Sequence, residues 1–357
     1  MKLRALSYQE RVSWHRLAQS ENIGPLTFQK LIDRFTTADE ALAALPDLSR
    51  RKLRIYEQAR AEDDFARAAK FGASYIVLCE PDYPELLRQS PGPPSLITIK
   101  GRRELLNQPA LAVVGARNAS AIAIRFTRTI ASELAGAGFA IVSGLARGID
   151  RAAHEASLEH GTIAVVAGGI DHIYPPENEA LHHTIGEQGV LVAEMPPGTA
   201  PKAEFFPRRN RVIAGLSLAT LVMEAALRSG SLSTARLASE AGRDVFAVPG
   251  SPLDPRCEGT NGLIKDGAQM LTRTSDVLNV VNPGQTRMYS DAIRFEMTPI
   301  EGLRGRILEL LSASPIDVDT LVRETQATPD AVLGLVMEME ISGQIARHAG
   351  GKFSRLA

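Results

Sequence analysis

The chain has 357 residues, of which 44% are hydrophobic and 23% charged, so we expect two or three folded domains rather than disorder. A formal net charge of −1 excludes a general polycation, so any binding of nucleic acid needs a local basic cluster. Its two cysteines, Cys79 and Cys257, lack disulfide or metal-ligand spacing, and no apolar run is long enough to span a bilayer, which predicts a cytoplasmic protein without a membrane segment.

Residues 1–72 predict a helical domain, because apolar side chains recur there at helical spacing. These apolar positions are Leu17, Ile23, Leu26, Phe28, Leu31, Ile32, Phe35, Leu42 and Leu45. Residues 23–26 are similar to the turn of helix-hairpin-helix modules, although Pro25 removes one backbone amide and favours a packing role. A basic run follows that is typical of a solvated helix face, formed by Arg50, Arg51, Lys52 and Arg54.

Residues 73–283 predict a central α/β domain. Two short extended runs at 75–78 and 96–99 come first, among several prolines, and are interpreted as added strands. Six nearly continuous apolar runs then alternate with helical patterns, at residues 111–114, 139–142, 162–166, 190–192, 219–223 and 245–248. This alternation predicts a parallel, doubly wound, Rossmann-like sheet with ligands at the carboxyl ends of its strands.

A polar connection over residues 282–298 precedes a third domain, predicted at residues 299–357. Three short helical patterns and a final hairpin predict a winged helix there. The third helix, predicted over residues 328–342, contains no Lys or Arg and carries Glu338 and Glu340. Because carboxylates repel phosphates, both the reading of a DNA groove and the binding of a partner protein stay open for this domain.

Three predicted turns between a strand and a helix are rich in glycine and hydroxyl residues, at 115–120, 143–150 and 228–234. In the second turn, Gly144 and Gly148 let the main chain approach a ligand, and the amides of the helix start form a positively polarised end. This geometry favours an anion, most simply a phosphate. The alternative interpretation is that these glycines serve packing alone.

Residues 201–211 place cationic side chains beside two adjacent aromatics, Phe205 and Phe206. Single-stranded nucleic acid calls for this combination, because phosphates bind cations and each unpaired base gains about 1–3 kcal/mol from stacking on a flat ring. The alternative is that the two rings belong to the core and that the arginines cap a helix or bind carboxylates. For the cluster as a whole, the pattern favours binding.

The sequence signatures of catalysis are weaker than the pattern for nucleic-acid binding. The turn after the first strand of the central domain lacks the G-x-G-x-x-G fingerprint, so we expect no nicotinamide or flavin cofactor. The histidines lack metal-ligand spacing. Glu194 and Glu224 end strands and are candidate general bases without an evident nucleophile, whereas Asp150 and Asp171 are explained by capping of turns. The sequence therefore predicts no catalytic residue, cofactor or metal.

Eight ordered segments of the central domain resemble the DprA (Smf) family, the DNA-processing proteins of bacterial transformation. They cover most of residues 110–270 and are VVGARNAS, SGLARGIDRAAH, GTIAVVAGGIDHIYPPEN, EMPPGT, FFPRRNRVIAGLS, EAALRSGSLSTARLA, VFAVPGS and GTNGLIKDGA. The resemblance implies an extended Rossmann-like domain between an N-terminal SAM- or helix-hairpin-helix-like domain and a C-terminal winged helix.

The same resemblance implies a non-catalytic protein that binds and protects single-stranded DNA. It also implies a homodimer that loads the RecA recombinase onto strands covered by single-strand-binding protein. A lysine of the family aligns with Ala203, and Lys202 stands one place earlier. Together with the glycine-rich turns, the resemblance predicts a set of nucleic-acid-binding residues, namely Arg117, Gly144, Arg147, Lys202, Phe206, Arg209, Asn210, Arg211 and Ser231.

Two other functions stay open. The first is a Rossmann-type nucleotide-processing enzyme resembling the lysine-decarboxylase-like phosphoribohydrolases, although residues 228–231 stand where their P-G-G-x-G-T-x-x-E signature is expected. The second is a transcription factor that acts through the winged helix, which the acidic third helix disfavours.

Overall fold

The structure is a computed structural model that describes residues 3–48, 53–281, 300–312, 315–325, 327–348 and 351–356. It divides into two compact units, residues 1–283 and 284–357. The basic run at Arg50, Arg51 and Lys52 and the polar connection over residues 282–298 lie outside the described residues.

Four helices begin the described chain, and strands and helices then follow in mixed order. The helices are α1 (Tyr8–Gln19), α2 (Pro25–Phe35), α3 (Ala38–Leu48), α4 (Gln58–Lys70), α5 (Glu85–Arg88), α6 (Ala121–Gly136), α7 (Ile149–Ser157), α8 (Glu179–Gln188), α9 (Phe205–Gly215), α10 (Gly230–Glu240), α11 (Glu258–Lys265), α12 (Thr274–Val281), α13 (Ile300–Leu310), α14 (Val318–Thr325) and α15 (Pro329–Ile341). The strands are β1 (Ser74–Val77), β2 (Leu96–Gly101), β3 (Ala110–Val114), β4 (Ala140–Ser143), β5 (Thr162–Gly169), β6 (Val190–Met195), β7 (Ala219–Val222), β8 (Asp244–Ala247), β9 (Gln269–Met270), β10 (Ile316–Asp317), β11 (Ile345–His348) and β12 (Lys352–Arg355). Among these described helices, none combines the length and the apolarity needed to cross a membrane.

The predicted N-terminal helices are α1 to α4. A capping box begins α1: the Ser7 hydroxyl accepts from the Glu10 amide at 3.3 Å, and the Glu10 carboxylate accepts from the Ser7 amide at 2.8 Å. Buried side chains of these helices share one hydrophobic core with β1 and β2. Residues 1–72 and 73–283 therefore pack as one compact unit, and their division into two domains stays a prediction.

All six apolar runs of the predicted Rossmann-like domain are strands of a nine-stranded sheet, in the order β1-β2-β6-β5-β4-β3-β7-β8-β9. Strands β3 to β9 are parallel, as expected. The sheet is nevertheless mixed, because β1 and β2 add an antiparallel edge that needs no helical crossover. The chain order reverses between β3 and β7, which is the switch point at which doubly wound sheets bind ligands.

Helices cover both faces of this sheet. Along β3, Ala112 and Val114 belong to the core under α9 and α10, whereas Leu111 and Val113 belong to the core under α6 and α7. This alternation is that of a strand buried on both faces. With both faces covered, the carboxyl edge of the sheet is the place where loops and helix starts converge.

The C-terminal unit is the predicted winged helix. Helices α13 to α15 pack with a three-stranded sheet in the order β10-β12-β11. Its separate core includes the buried side chains of Ile307, Leu321, Val336 and Phe353. Pro329 begins α15 at a position where its missing amide costs nothing, and the Thr328 hydroxyl caps the helix.

Candidate nucleic-acid interface

A cleft of about 190 Å³ lies at the carboxyl ends of β3, β4 and β5. Three arginines, two aromatic rings and a histidine line it, and these are Arg117, Arg147, Arg209, Tyr174, Phe206 and His172. Arg117 follows β3, and Arg147 follows β4. Helix α9 supplies Phe206 and Arg209. We call this the arginine cleft, and it brings together cations and aromatic rings from four separate segments of the chain.

The two aromatic rings of the arginine cleft lie beside each other at a tilted angle. The centroids of Tyr174 and Phe206 are 6.0 Å apart, with an interplanar angle of 59°. The guanidinium carbon of Arg117 lies 5.1 Å from the Phe206 centroid, within reach of a cation–π contact. Phe206 is only partly buried, and so is its neighbour Phe205. Neither ring belongs to the hydrophobic core, so the core alternative for this pair is wrong.

Arg209 lines the arginine cleft with an almost fully buried side chain. Its side chain is only 7% exposed, and a methyl group on Gly144 would overlap its guanidinium group. Burial lowers the pKa of Arg209, while the nearby Asp150 carboxylate opposes that shift. Its Nε has no hydrogen-bond partner among the described residues. Gly144 is therefore required for close packing against an arginine, which is a role distinct from direct contact with a ligand.

In the predicted phosphate turn at residues 143–150, two backbone amides bind the carboxyl group of Asp150. The amides of Gly144 and Ala146 donate to Asp150 Oδ2 at 3.2 and 3.3 Å. Asp150 is 4% exposed, and burial raises its pKa although Arg209 and these amides oppose the shift. The amides of Gly144 and Ala146 therefore bind a buried carboxylate of the chain itself, whereas anion binding by the amides at the start of α7 stays a prediction.

The turn at residues 115–120 is occupied in the same way. The carboxylate of Glu224 accepts from the Ser120 amide at 3.0 Å and from the Ser120 hydroxyl at 2.6 Å. The Ser120 hydroxyl in turn accepts from the Ala123 amide at 3.1 Å and caps α6. Glu224 follows β7 at the switch point, so this carboxylate fills the position at which a Rossmann-like sheet commonly holds a ligand.

The third turn begins α10 with a hydroxyl cap. The Ser229 hydroxyl accepts from the Ser231 amide at 3.4 Å and hydrogen-bonds the Ser231 hydroxyl at 2.7 Å. Ser231 is 8% exposed. Ser231 thus lies within the helix start rather than on the surface of the arginine cleft.

The predicted Arg-Asn-Arg element on α9 points in three directions. Arg209 faces the arginine cleft, whereas the Asn210 amide group donates to the Gly230 carbonyl at 3.3 Å and to the Ser233 hydroxyl at 3.1 Å. Arg211 donates to Glu194 Oε1 at 2.7 Å and lines a different cavity. Because successive helical residues are about 100° apart, three adjacent side chains cannot share one face.

Arg147 and Lys202 are exposed at the rim. Arg147 pairs with Glu177 at 3.4 Å, and its side chain is 62% exposed. Lys202 Nζ lies 5.9 Å from the Phe205 ring, outside the lining of the arginine cleft. An exposed pair of this kind contributes little to stability, so the contact with Glu177 does not fix the Arg147 side chain in place.

The sequence analysis missed Tyr174 and His172. Both follow β5, and the Asn178 amide group ties their segment to the neighbouring turn by donating to the Leu145 and Ala146 carbonyls at 2.9 and 3.1 Å. The signal was present, because the predicted run at 162–166 ends at the same carboxyl edge as the other loops of the cleft.

The two candidate general bases have internal partners, and so does Asp171, which the sequence assigns to the capping of a turn. Glu224 is bound by Ser120, and Glu194 by Arg211. Asp171 accepts from the Gly198 amide with both oxygens, at 2.8 and 3.0 Å. Within the described parts of the chain, no three His, Cys, Asp or Glu residues come together in an arrangement that could hold a metal ion.

Three family models match the chain. The model described as DNA recombination-mediator protein A matches residues 74–282. A DprA-like N-terminal HHH domain matches residues 8–66, and a DprA winged helix domain matches residues 298–351.

Full-length relatives and solved structures agree with these models. Protein Smf of Synechocystis sp. is 31% identical, over 98% of this chain and 100% of its own length. The X-ray structure of DNA processing protein A from Streptococcus pneumoniae is 34% identical with a TM-score of 0.66, over 78% of this chain and 99% of that chain. DNA processing protein A from Helicobacter pylori, solved for its unique single-stranded DNA binding mode, is 30% identical with a TM-score of 0.54, over 61% of this chain and 96% of that chain.

Proposed function

Because this chain belongs to the DNA recombination-mediator protein A (DprA/Smf) family, we propose that it binds single-stranded DNA in the arginine cleft and mediates recombination without catalysing a reaction. The convergence of three guanidinium groups and two aromatic rings in one cleft carries this proposal. Cations bind the phosphates of a strand, and open rings stack its unpaired bases. The single-stranded DNA binding of the Helicobacter pylori relative supports it.

In this proposal, some residues of the arginine cleft bind phosphates and others stack bases. Arg117 and Arg147 are exposed and bind phosphates. Phe206 and Tyr174 offer ring faces to bases, and Arg117 beside the Phe206 ring holds a phosphate next to a stacked base. Arg209 also lines the cleft, and the nearby Asp150 carboxylate opposes the lowering of its pKa by burial. This arrangement reads no base edge in particular, so binding is tolerant of sequence.

The partners follow from the family resemblance. The chain forms a homodimer in the cytoplasm and protects exposed strands. It loads the RecA recombinase onto DNA that is covered by single-strand-binding protein. A mediator of this kind needs no catalytic group, which agrees with the internal engagement of Glu194, Glu224, Asp150 and Asp171.

A salt titration of DNA binding tests the proposed site. Fluorescence anisotropy with a labelled single strand and the matching duplex is expected to show tighter binding of the single strand at every salt concentration. Arg117→Ala is expected to lower the affinity for the single strand about tenfold and to reduce the slope of log K against log salt by about 0.7.

Arg236→Ala is the matched control, because Arg236 is 73% exposed on α10 and pairs with the exposed Glu240. Equal affinities for Arg117→Ala and Arg236→Ala would place the DNA site elsewhere. The partner proposals have separate readouts. Solution mass reports the dimer, and the lag of RecA ATPase on strands coated with single-strand-binding protein reports loading. An unchanged lag would remove the loading role without affecting the DNA site.

A further inference from the structure

A second and larger cavity, of about 700 Å³, lies where the N-terminal helices meet the sheet. It is lined by the end of α1, the start of α2, β6 and the outer face of α9. All of these belong to one compact unit. The volume is within the range of about 300–1,000 Å³ that is usual for small-molecule sites. We call it the junction cavity, and the function proposed above does not use it.

A buried histidine lines the junction cavity with one ring nitrogen unpartnered. His15 is 2% exposed, and its Nε2 lies 2.8 Å from Asp64 Oδ2. The Tyr56 hydroxyl donates to the same oxygen at 2.7 Å and so holds Asp64 in place. His15 Nδ1 has no hydrogen-bond partner among the described residues. In the tautomer that donates Nε2–H to the carboxylate, Nδ1 is an acceptor for a ligand.

Glu194 adds a second acceptor. Its Oε1 accepts from Arg211 at 2.7 Å, and the side chain is 16% exposed. Its Oε2 is buried and has no partner in the described parts of the chain. The Tyr75 hydroxyl on the same cavity is also buried and without a partner among the described residues. Buried polar atoms are almost always hydrogen-bonded, so two unpartnered acceptors and one unpartnered hydroxyl on one cavity point to a polar ligand that donates hydrogen bonds and can also accept one.

The mouth of the junction cavity is positive. Helix α2 has eleven residues and begins without a side-chain cap, since Gly24 is its N-cap and Pro25 its first residue. The free amides of its first turn and the helix dipole favour an anion. Arg208 is exposed on the same cavity and adds a full positive charge.

We propose that the junction cavity binds a nucleoside phosphate, with the phosphate at the start of α2 beside Arg208 and the base or sugar donors at Glu194 and His15. A nucleoside phosphate joins hydrogen-bond donors at one end to an anion at the other, which is the polarity of this cavity. Ile23, Leu96 and Met195 supply apolar walls for the flat base. The proposal does not depend on the DNA-binding function of the arginine cleft.

Calorimetric titration of the full chain tests this site with the four common nucleoside monophosphates, their deoxy forms and inorganic phosphate. At least one nucleoside monophosphate is expected to bind at millimolar concentration or below, at least tenfold more tightly than inorganic phosphate. Glu194→Gln is expected to weaken binding about tenfold, because the amide replaces an anionic acceptor.

Substitution of Gly24 gives a sharper comparison. Gly24→Asp places a carboxylate where it caps α2 and displaces the phosphate, so nucleotide affinity is expected to fall at least tenfold while the melting temperature is maintained or raised. Gly24→Ala is the matched control and is expected to bind normally, because an added methyl group meets nothing within 4 Å.

Three results would overturn the proposal: no nucleotide bound at millimolar concentration, inorganic phosphate bound as tightly as nucleotides, or equal affinities for the two Gly24 variants. If Gly24→Asp weakens only the binding of an oligonucleotide, the cavity belongs to the path of a DNA strand and the free nucleotide is excluded. Arg117→Ala is expected to leave nucleotide binding unchanged, so the two proposals fail separately.

Discussion

At the level of single residues, the lack of a side chain at Gly144 leaves room for the buried guanidinium group of Arg209. A side chain at this position would overlap the Arg209 guanidinium group, which is held between Gly144 and the charge of Asp150. The sequence marks Gly144 as a glycine of a ligand-binding turn. In the structure its lack of a side chain serves an arginine of the same chain.

Gly144→Ala tests this packing. We expect the free energy of unfolding to fall by about 1–3 kcal/mol, because an extra methyl group in a filled site forces neighbours apart. Affinity for single-stranded DNA is expected to fall as well, since Arg209 is displaced from the arginine cleft. Urea denaturation and anisotropy measure the two effects. Gly136→Ala is the control, as its added methyl group meets nothing within 4 Å in α6; equal stabilities of the two variants would contradict the packing role.

Phe206→Ala is expected to weaken binding of single-stranded DNA by about 1–3 kcal/mol through the loss of a stacked base. The salt slope is expected to stay the same, because no charge is removed. Phe205→Ala is a matched comparison, since Phe205 lies next in sequence but outside the lining of the arginine cleft. A larger loss for Phe205→Ala, by anisotropy at fixed salt, would show that the wrong ring was chosen.

The individual site residues differ in how well the sequence placed them. Arg117, which the family resemblance predicts, and Phe206, which the pattern of cations beside aromatics predicts, lie together in the arginine cleft. Asn210 and Arg211 lie on other faces of α9, because successive side chains of a helix point in directions about 100° apart. Tyr174 was missed because the segment after β5 has no periodic signal of its own.

At the level of elements, two carboxylates occupy predicted anion turns. Asp150 accepts from two amides of its own turn, and Glu224 accepts from the amide and hydroxyl of Ser120 at the start of α6. Glycines and hydroxyls at such turns do indicate an anion. They do not indicate whether the anion is a ligand or a side chain from a distant strand.

Glu224→Gln tests the structural role of this carboxylate. We expect the free energy of unfolding to fall by about 1.5–3 kcal/mol, the usual contribution of hydrogen bonds to a charged group. Binding of single-stranded DNA by the folded protein is expected to be unchanged. Urea denaturation measures the loss against Glu240→Gln, whose carboxylate is exposed. A variant that keeps full stability but loses DNA binding would instead make Glu224 part of the interface.

Helix α15 of the winged helix contains no Lys or Arg. Of its exposed side chains, Leu333 and Met337 are 42% and 56% exposed and lie one turn apart, with Glu338 beside them. An apolar pair beside a carboxylate gains nothing from a phosphate backbone. Between the two alternatives left open by the sequence, this face favours a partner protein over a DNA groove.

For the whole molecule, two buried histidines link stability to pH. Burial lowers the pKa of His154 to about 3 and that of His182 to about 4, from an ordinary value of 6.5. The unfolded chain therefore binds more protons than the folded chain below pH 6.5. The destabilisation that these two histidines cause is therefore absent above that pH and grows as pH falls toward 4.

His182→Gln removes one of these titrations. Between pH 6.5 and 5 the unfolding free energy of the unmodified chain is expected to fall by up to about 1.4 kcal/mol per pH unit for each histidine, and the variant is expected to lose one such contribution. Urea denaturation across this range measures the slopes. His160→Gln, at an exposed position, is expected to behave like the unmodified chain. A slope that His182→Gln leaves unchanged would mean that His182 is protonated in the folded state.

Local pattern by itself determined the elements of this protein and the family it belongs to. Apolar periodicity and turn residues act within a few positions, so the six parallel strands, the flanking helices and the winged helix were readable from the chain. Only the tertiary structure decided which charges face outward. Glu224 and Ser120 are 104 positions apart, and strand order alone brings them together. The partner of a charged group depends on which distant residues the fold places beside it, and a local sequence pattern does not specify those residues.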